Sequence, residues 1–280
     1  RGADPDGLVA PDNGHGAGTR RGVAVATIAP EAEERAVRLL VERIRAHGVE
    51  VAVYDVGPGV LIVRDVRGTD LDALIGGDTA VERVFMPDTR YLLARREVWP
   101  GGTVVRVGGV PFGPDSFTIV AGPCAVEGRE QVLAIARAVE RAGAAVLRGG
   151  GFKPRTSPYD FQGLGLPGIQ LLAEARAETG LPFISEVMTP RHIEPMYPLV
   201  DAFQVGARNM QNYALLKSLS DVDKPVLLKR NPGATVEEWL LAAEYLLAGG
   251  NDQVILCERG IRTFNTVTRY TLDLATVALV

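Results

Sequence analysis

The run FTIVAGPCAVEGREQVLAIARAVERAGAAVLRGG, residues 117–150, decides the fold of this chain. It reads as an apolar strand over FTIVAG, an amphipathic helix over REQVLAIARAVERAG and a second apolar strand over AAVL. Strands that are apolar on both faces and joined by a helix are parallel strands covered on both sides. The pattern repeats through GIQLLAEARAETG, PFISEV, the segment around RHIEPMY, AFQVGA, NYALLKSL, PVLLKR, TVEEWLLAAEYLLAGG, QVILCE and TRYTLDLATVALV, giving six β-α units over 117–280. Their short loops favour a closed barrel over an open doubly wound sheet. The expected fold is an α/β (β/α)8 TIM barrel of which six units are present. The first and sixth strands would then keep open edges, so the sequence reads as a fragment or truncated form, or as a chain whose partner strands come from another chain.

Ahead of this region the texture differs. Residues 1–21, RGADPDGLVAPDNGHGAGTRR, lack apolar periodicity and read as a disordered extension that holds His15. Residues 22–87 alternate strand and helix in the order β-α-β-β-α-β, the pattern of a small ferredoxin-like α+β domain. That domain offers no catalytic constellation, and His47 fits a helix C-terminal cap. A small domain without chemistry ahead of a larger one suggests regulation or assembly. Residues 88–116 form a linker that includes TVVRVGGVPFG, a hairpin resembling a lid, and the barrel region is expected over 117–280.

Composition bounds the function. A net charge of -4 argues against a general nucleic-acid binder. No apolar run approaches the length of a membrane span. Two cysteines, Cys124 and Cys257, with no CxxC and no signal-peptide pattern, point to a reducing cytoplasm. The cations are local instead. In the loop after AAVL, Arg148, Lys153 and Arg155 stand among Gly149, Gly150 and Gly151, with Thr156 and Ser157 adding hydroxyls. Taken alone, that loop reads either as a phosphate or carboxylate cradle or as a solvated basic loop.

The other strand ends favour the cradle. In such barrels the active site lies at the carboxyl ends of the strands. Those positions hold GPCAVE, Glu186, Ala207 and Arg208, Lys229, and Arg259. Together with Arg148, Lys153 and Arg155 they form a cationic floor suited to a ligand with several negative charges. Cys124, in its Gly-Pro-Cys turn, reads equally as a thiolate facing the cavity or as a small buried hydrophobe. Cys257 fits an inert core position, and His192, early in the helix after PFISEV, fits a structural role.

GPCAVE at 122–127, LRGGGFKPRTSPYDFQGLG at 147–165, QVGARNMQN at 204–212, LLKRN at 227–231 and ILCERGIRTF at 255–264 resemble 3-deoxy-D-arabino-heptulosonate 7-phosphate (DAHP) synthases of the type I beta subgroup, which carry an N-terminal ferredoxin-like domain. The likeness runs over nearly all of 22–280. It implies condensation of phosphoenolpyruvate with erythrose 4-phosphate, the first step of the shikimate pathway. Arg148, Lys153, Glu186, Ala207, Arg208, Lys229 and Arg259 would hold phosphoenolpyruvate. Pro154, Arg155, Thr156 and Ser157 would hold erythrose 4-phosphate, with Lys153 as a catalytic acid. Related 3-deoxy-octulosonate 8-phosphate synthases look similar but carry KANRS where this chain has Lys153-Pro154-Arg155-Thr156-Ser157. The resemblance also implies a divalent metal of the Mn, Fe, Zn or Co class, with Cys124 as one ligand and a His, a Glu and an Asp expected beyond Val280. On that basis weak metal binding and little activity are expected of the 280-residue chain. An aromatic amino-acid effector closing residues 22–86 over the barrel entrance and a dimeric or tetrameric assembly are further expectations. A catalytically inactive regulatory or scaffold homologue is the rival reading.

Overall fold

The computed structural model describes residues 22–57, 59–64, 66 and 69–280. The extension with His15, and Pro58 of the turn between the second and third strands, lie outside the described residues.

The N-terminal unit is built from β1 (Val23–Ile28), α1 (Glu34–Ala46), β2 (Glu50–Tyr54), β3 (Val60–Arg64), α2 (Leu71–Leu74) and β4 (Val81–Phe85). Its sheet has the order β2-β3-β1-β4 with every pairing antiparallel, the interleaved arrangement of a ferredoxin-like unit. Helix α1 buries Leu40, Val41 and Ile44 against one sheet face. It ends at His47, whose Nδ1 pairs with the Arg43 carbonyl at 2.9 Å, the capping role its position suggested.

The other face of this sheet packs through Val25, Val60 and Ile62 against Leu92, Leu93 and Val98 of the linker. The same cluster reaches Leu247, in the last turn of the helix Val236–Ala248. Linker and helix are joined by Glu244, whose Oε1 accepts the successive backbone N–H groups of Leu92, Leu93 and Ala94 at 2.7, 2.6 and 2.7 Å.

Six parallel strands follow: β7 (Val120–Ala121), β8 (Val146–Arg148), β9 (Phe183–Val187), β10 (Ala202–Val205), β11 (Val226–Lys229) and β12 (Val254–Cys257). They pair strictly in chain order, with β7 and β12 at the two edges of the sheet. Helices α3 (Arg129–Arg141), α4 (Leu166–Thr179), α5 (Ile193–Met196), α6 (Tyr213–Ser220), α7 (Val236–Ala248) and α8 (Leu274–Leu279) alternate with them, as the periodicity indicated. Helix α7 starts on a reciprocal Thr235–Glu238 capping box. The core between strands and helices centres on Leu147, Phe183, Phe203 and Leu228, with Trp239 of α7 donating its Nε1–H to the Leu228 carbonyl at 3.1 Å.

The hairpin β5 (Val105–Val107) and β6 (Val110–Phe112) turns at Gly108 and Gly109, both with positive φ. Val107 packs on Val146, Ile184 and Ala202, with Val110 and Phe112 beside it, so the hairpin fills the barrel at the amino ends of its strands. This corrects the expected lid. Its alternating apolar residues are satisfied by the barrel interior, whose bottom layer is apolar, whereas the top layer is polar and charged. The end of α7 that meets the N-terminal unit likewise neighbours Val254, the first residue of β12. Residues 22–86 are therefore docked at the end opposite the site loops and do not close over the entrance. Among the described residues no helix is long and apolar enough to cross a membrane.

Candidate active site

Alternate residues of a strand share a face. In the barrel interior that rule stacks two layers. Val146, Ile184, Ala202, Leu227 and Ile255 form an apolar layer. Two positions further along the same strands stand Arg148, Glu186, Gln204, Lys229 and Cys257. Strand register places Gln204 beside Glu186 and Lys229 beside Cys257. The sheet thus converts a scatter of polar residues up to 109 positions apart, Arg148 to Cys257, into one layer, the polar ring, above an apolar floor.

The ring is cross-linked. Gln204, 2% exposed, donates through Nε2 to Glu186 Oε2 at 3.1 Å and accepts from Arg148 Nε at 3.4 Å. Sequence reading missed Gln204; the signal was an amide in the otherwise apolar strand AFQV. The Glu186 carboxylate fits only because residue 206 is glycine: a Cβ there would stand 1.9 Å from Glu186 Oε1. Gly122, at φ +151, plays the same part at the end of β7, where a Cβ would meet the Arg148 carbonyl oxygen at 2.0 Å.

Cys124, in the turn after β7, is exposed rather than a buried hydrophobe. Its Sγ accepts from Lys153 Nζ at 3.3 Å, while Lys153 itself is 8% exposed. Partial burial alone would raise the thiol pKa, but the Lys153 hydrogen bond and charge, with Arg148 adding to them, lower it. The Lys229 pKa also lies below its ordinary value: burial favours the neutral amine and the Arg148 charge adds to that, outweighing Cys257 and Glu186. A half-buried lysine beside an arginine is a pair of cations suited to share one anion. Cys257 is half-buried among these charges rather than in the apolar core, with burial raising its thiol pKa.

Past the carboxyl ends of β10, β11 and β12 lies a cavity of about 410 Å³ lined by Thr156, Ala207, Arg208, Asn231, Arg259 and Arg262, among others, but by none of the ring side chains. Arg208 donates through Nη1 to the Pro154 carbonyl at 3.1 Å and through Nη2 to Thr156 Oγ1 at 3.2 Å, tying the loop after β8 to the end of β10. Asn231 donates to the Ala207 carbonyl at 3.1 Å. Arg259 lies over the Tyr270 ring, 4.8 Å from its centroid. Arg155 is exposed and donates to the Phe161 carbonyl at 3.1 Å, and Ser157 Oγ accepts the Tyr159 N–H at 3.2 Å, so both shape the turn 155–162. Arg262 and the neighbouring Arg269 were not singled out by the sequence, because neither stands at a strand end. A separate cleft of about 380 Å³ between α5 and α6, lined by Ile193, Tyr197 and Val222, carries no comparable charge.

Among the described residues no group of three His, Cys, Asp or Glu side chains converges as a metal centre. Cys124 is engaged with Lys153, and His192 stacks on Phe152 at 4.0 Å between ring centroids, with burial depressing its pKa. One soft ligand does not make a site for a divalent ion, so the described residues do not fit the metal by themselves.

A model of the DAHP synthetase I family matches residues 102–280. The chain is 47% identical over 201 residues to a phospho-2-dehydro-3-deoxyheptonate aldolase of Thermotoga maritima, covering 72% of this chain and 59% of that protein. It therefore spans less than two thirds of that relative's length. A 2-dehydro-3-deoxyphosphooctonate aldolase of Syntrophobacter fumaroxidans is 30% identical over 159 residues, 54% of this chain and 55% of that protein. Among solved structures, a DAHP synthase crystal structure from Thermotoga maritima superposes with a TM-score of 0.67 at 38% identity, covering 92% of this chain and 75% of the other.

Proposed function

Because this chain belongs to the DAHP synthetase I family, we propose that it condenses phosphoenolpyruvate with erythrose 4-phosphate and water to DAHP and phosphate, the entry step of aromatic amino-acid synthesis. The observation that carries this reading is the polar ring of Arg148, Glu186, Gln204 and Lys229 above an apolar floor, with a cavity lined by Arg208 and Arg259 in the loops that follow the same strands. Phosphoenolpyruvate brings a carboxylate and a phosphate into one small volume, and few other ligands need so many cations at once. Arg148 and Lys229 neutralise one anionic group, and Arg208 and Arg259 the other. Pro154, Arg155, Thr156 and Ser157 form the rim that receives the sugar phosphate, with Arg208 bridging to it.

Carbon–carbon bond formation turns the aldehyde oxygen of erythrose 4-phosphate into an alkoxide, and Lys153 serves as the acid that gives it a proton. Its nearly complete burial keeps water from that proton. The divalent metal general to the family would supply Lewis-acid chemistry that the described residues do not complete, Cys124 being the one candidate ligand among them. Residues 22–87 act as a regulatory unit for an aromatic amino acid, and the working state is a cytoplasmic homo-oligomer, a dimer or tetramer.

The test is phosphoenolpyruvate binding by calorimetry, followed by DAHP formation with erythrose 4-phosphate and Mn(II). Binding that Lys229→Met weakens by about tenfold or more supports the site. A chain that ignores phosphoenolpyruvate at millimolar concentration overturns it, and binding without condensation favours the inactive homologue. Product formation with arabinose 5-phosphate in place of erythrose 4-phosphate would favour the octulosonate reaction. Unchanged inhibition by tyrosine and phenylalanine after deletion of residues 22–86 would end the regulatory assignment.

A further inference from the structure

One buried cation beside the site has a side chain that bonds to none of the ring side chains and does not line the cavity. Arg230 follows Lys229 at the end of β11 and is 5% exposed. Its Nη1 donates to Glu258 Oε2 at 2.8 Å, to Asp273 Oδ2 at 2.9 Å and to Thr276 Oγ1 at 3.1 Å, while Nε donates to the Ala234 carbonyl at 3.1 Å. Burial opposes its charge, and the two carboxylates outweigh that and keep it firmly protonated.

Glu258 and Asp273 are the two feet of one excursion of the chain. Between them, Ile261 and Thr271 exchange backbone hydrogen bonds at 2.8 and 3.0 Å, closing the neck of a loop. One guanidinium nitrogen therefore holds both feet. Glu258 has a second task. Its Oε1 accepts the backbone N–H of Arg259 at 2.9 Å and of Gly260 at 2.5 Å, with Gly260 in the left-handed region at φ +89. The returning side of the loop delivers Tyr270 against the Arg259 guanidinium. So the backbone of Arg259 is fixed from one foot and its side chain from beside the other.

We propose that Arg230 is the positioning residue of Arg259: by clasping Glu258 and Asp273 it aims the Arg259 guanidinium into the anion cavity without touching the anion itself. The proposal rests on the reading of that cavity as an anion site. A buried arginine with two carboxylates is weak evidence for stability in its own right, because desolvation cancels much of the pairing energy. A role in geometry explains why both carboxylates come from the strand end and loop that present Arg259.

Titration of the full 280-residue chain with inorganic phosphate and with phosphoenolpyruvate tests this, using wild type, Arg230→Met, Arg259→Ala and the double variant. Arg230→Met and Arg259→Ala are each expected to weaken phosphate binding about tenfold, and the double variant to stay within about twofold of Arg259→Ala alone, because both changes remove the same contact. A lowered unfolding temperature with unchanged phosphate affinity, or an equal further loss in the Arg259→Ala background, overturns the proposal. If Arg230→Met does not fold, Glu258→Gln breaks the ion pair while leaving an oxygen for the Arg259 amide. The same non-additivity is expected of it, and unchanged affinity overturns the idea. A wild-type chain that binds phosphate but not phosphoenolpyruvate defeats the proposed function while the phosphate series still decides the role of Arg230. A chain that binds neither defeats both.

Discussion

Lys153 Nζ lies 3.3 Å from Cys124 Sγ and donates to it, joining the glycine-rich loop after β8 to the turn after β7. An ammonium group held against a thiol stabilises the thiolate, and Arg148 adds to the effect. Lys153→Met is therefore expected to raise the Cys124 pKa, moving the midpoint of its reaction with iodoacetamide to higher pH. Cys257, whose pKa burial raises, should alkylate more slowly in both proteins. An unchanged midpoint would show that the contact does not tune the thiol.

Gly206→Ala puts a methyl group where Glu186 Oε1 stands. The carboxylate is 6% exposed and hydrogen-bonded to Gln204, so it has little room to retreat. Overpacking of this kind costs about 1–3 kcal/mol, which thermal unfolding should register as a drop of several degrees. Phosphoenolpyruvate affinity should fall with it, since Gln204 also accepts from Arg148.

Glu244 gives the chain a pH-dependent joint. Burial raises its pKa from the usual carboxylate value of 4.5 to about 7, against the three N–H groups of Leu92, Leu93 and Ala94 that favour the anion. A folded pKa above the unfolded one means that the folded state holds the proton more tightly. The stabilisation is then full below about pH 4.5 and is lost as pH rises through about 7. The shift corresponds to a loss on the order of 3 kcal/mol at the alkaline end. Urea unfolding at pH 5 and pH 8 should show it, and Glu244→Gln, which keeps an acceptor oxygen, should flatten that difference. Equal slopes in the two proteins would refute the assignment.

Arg208→Ala removes the bonds to the Pro154 carbonyl and Thr156 Oγ1. Because Arg208 is exposed, little stability should be lost, within about 0.5 kcal/mol. Phosphoenolpyruvate binding should weaken by about tenfold or more, since a charge-assisted contact disappears. Calorimetry against circular-dichroism melting separates the two effects.

Much of this molecule was legible in the residues. The six β-α units could be read because apolar periodicity is local: a strand covered on both faces and a one-sided helix announce themselves within a few residues. Arg148, Glu186, Arg208, Lys229 and Arg259 could be found because a charged residue closing an apolar strand has no place in a core. Gln204 escaped because one amide inside a strand carries no such contrast until Glu186 and Arg148 are seen beside it.

The tertiary structure alone decided where the surplus pieces dock. TVVRVGGVPFG announces a hairpin, yet nothing in it tells that Val107 meets Val146, Ile184 and Ala202 at the foot of the barrel rather than its mouth. Glu244 and Leu92 are 152 residues apart, and Arg230 and Asp273 are 43 apart. Local sequence fixes which face of each element is apolar and which residues end each strand. Pairings across such separations depend on how the elements stack, and stacking is set by the packing of all of them together.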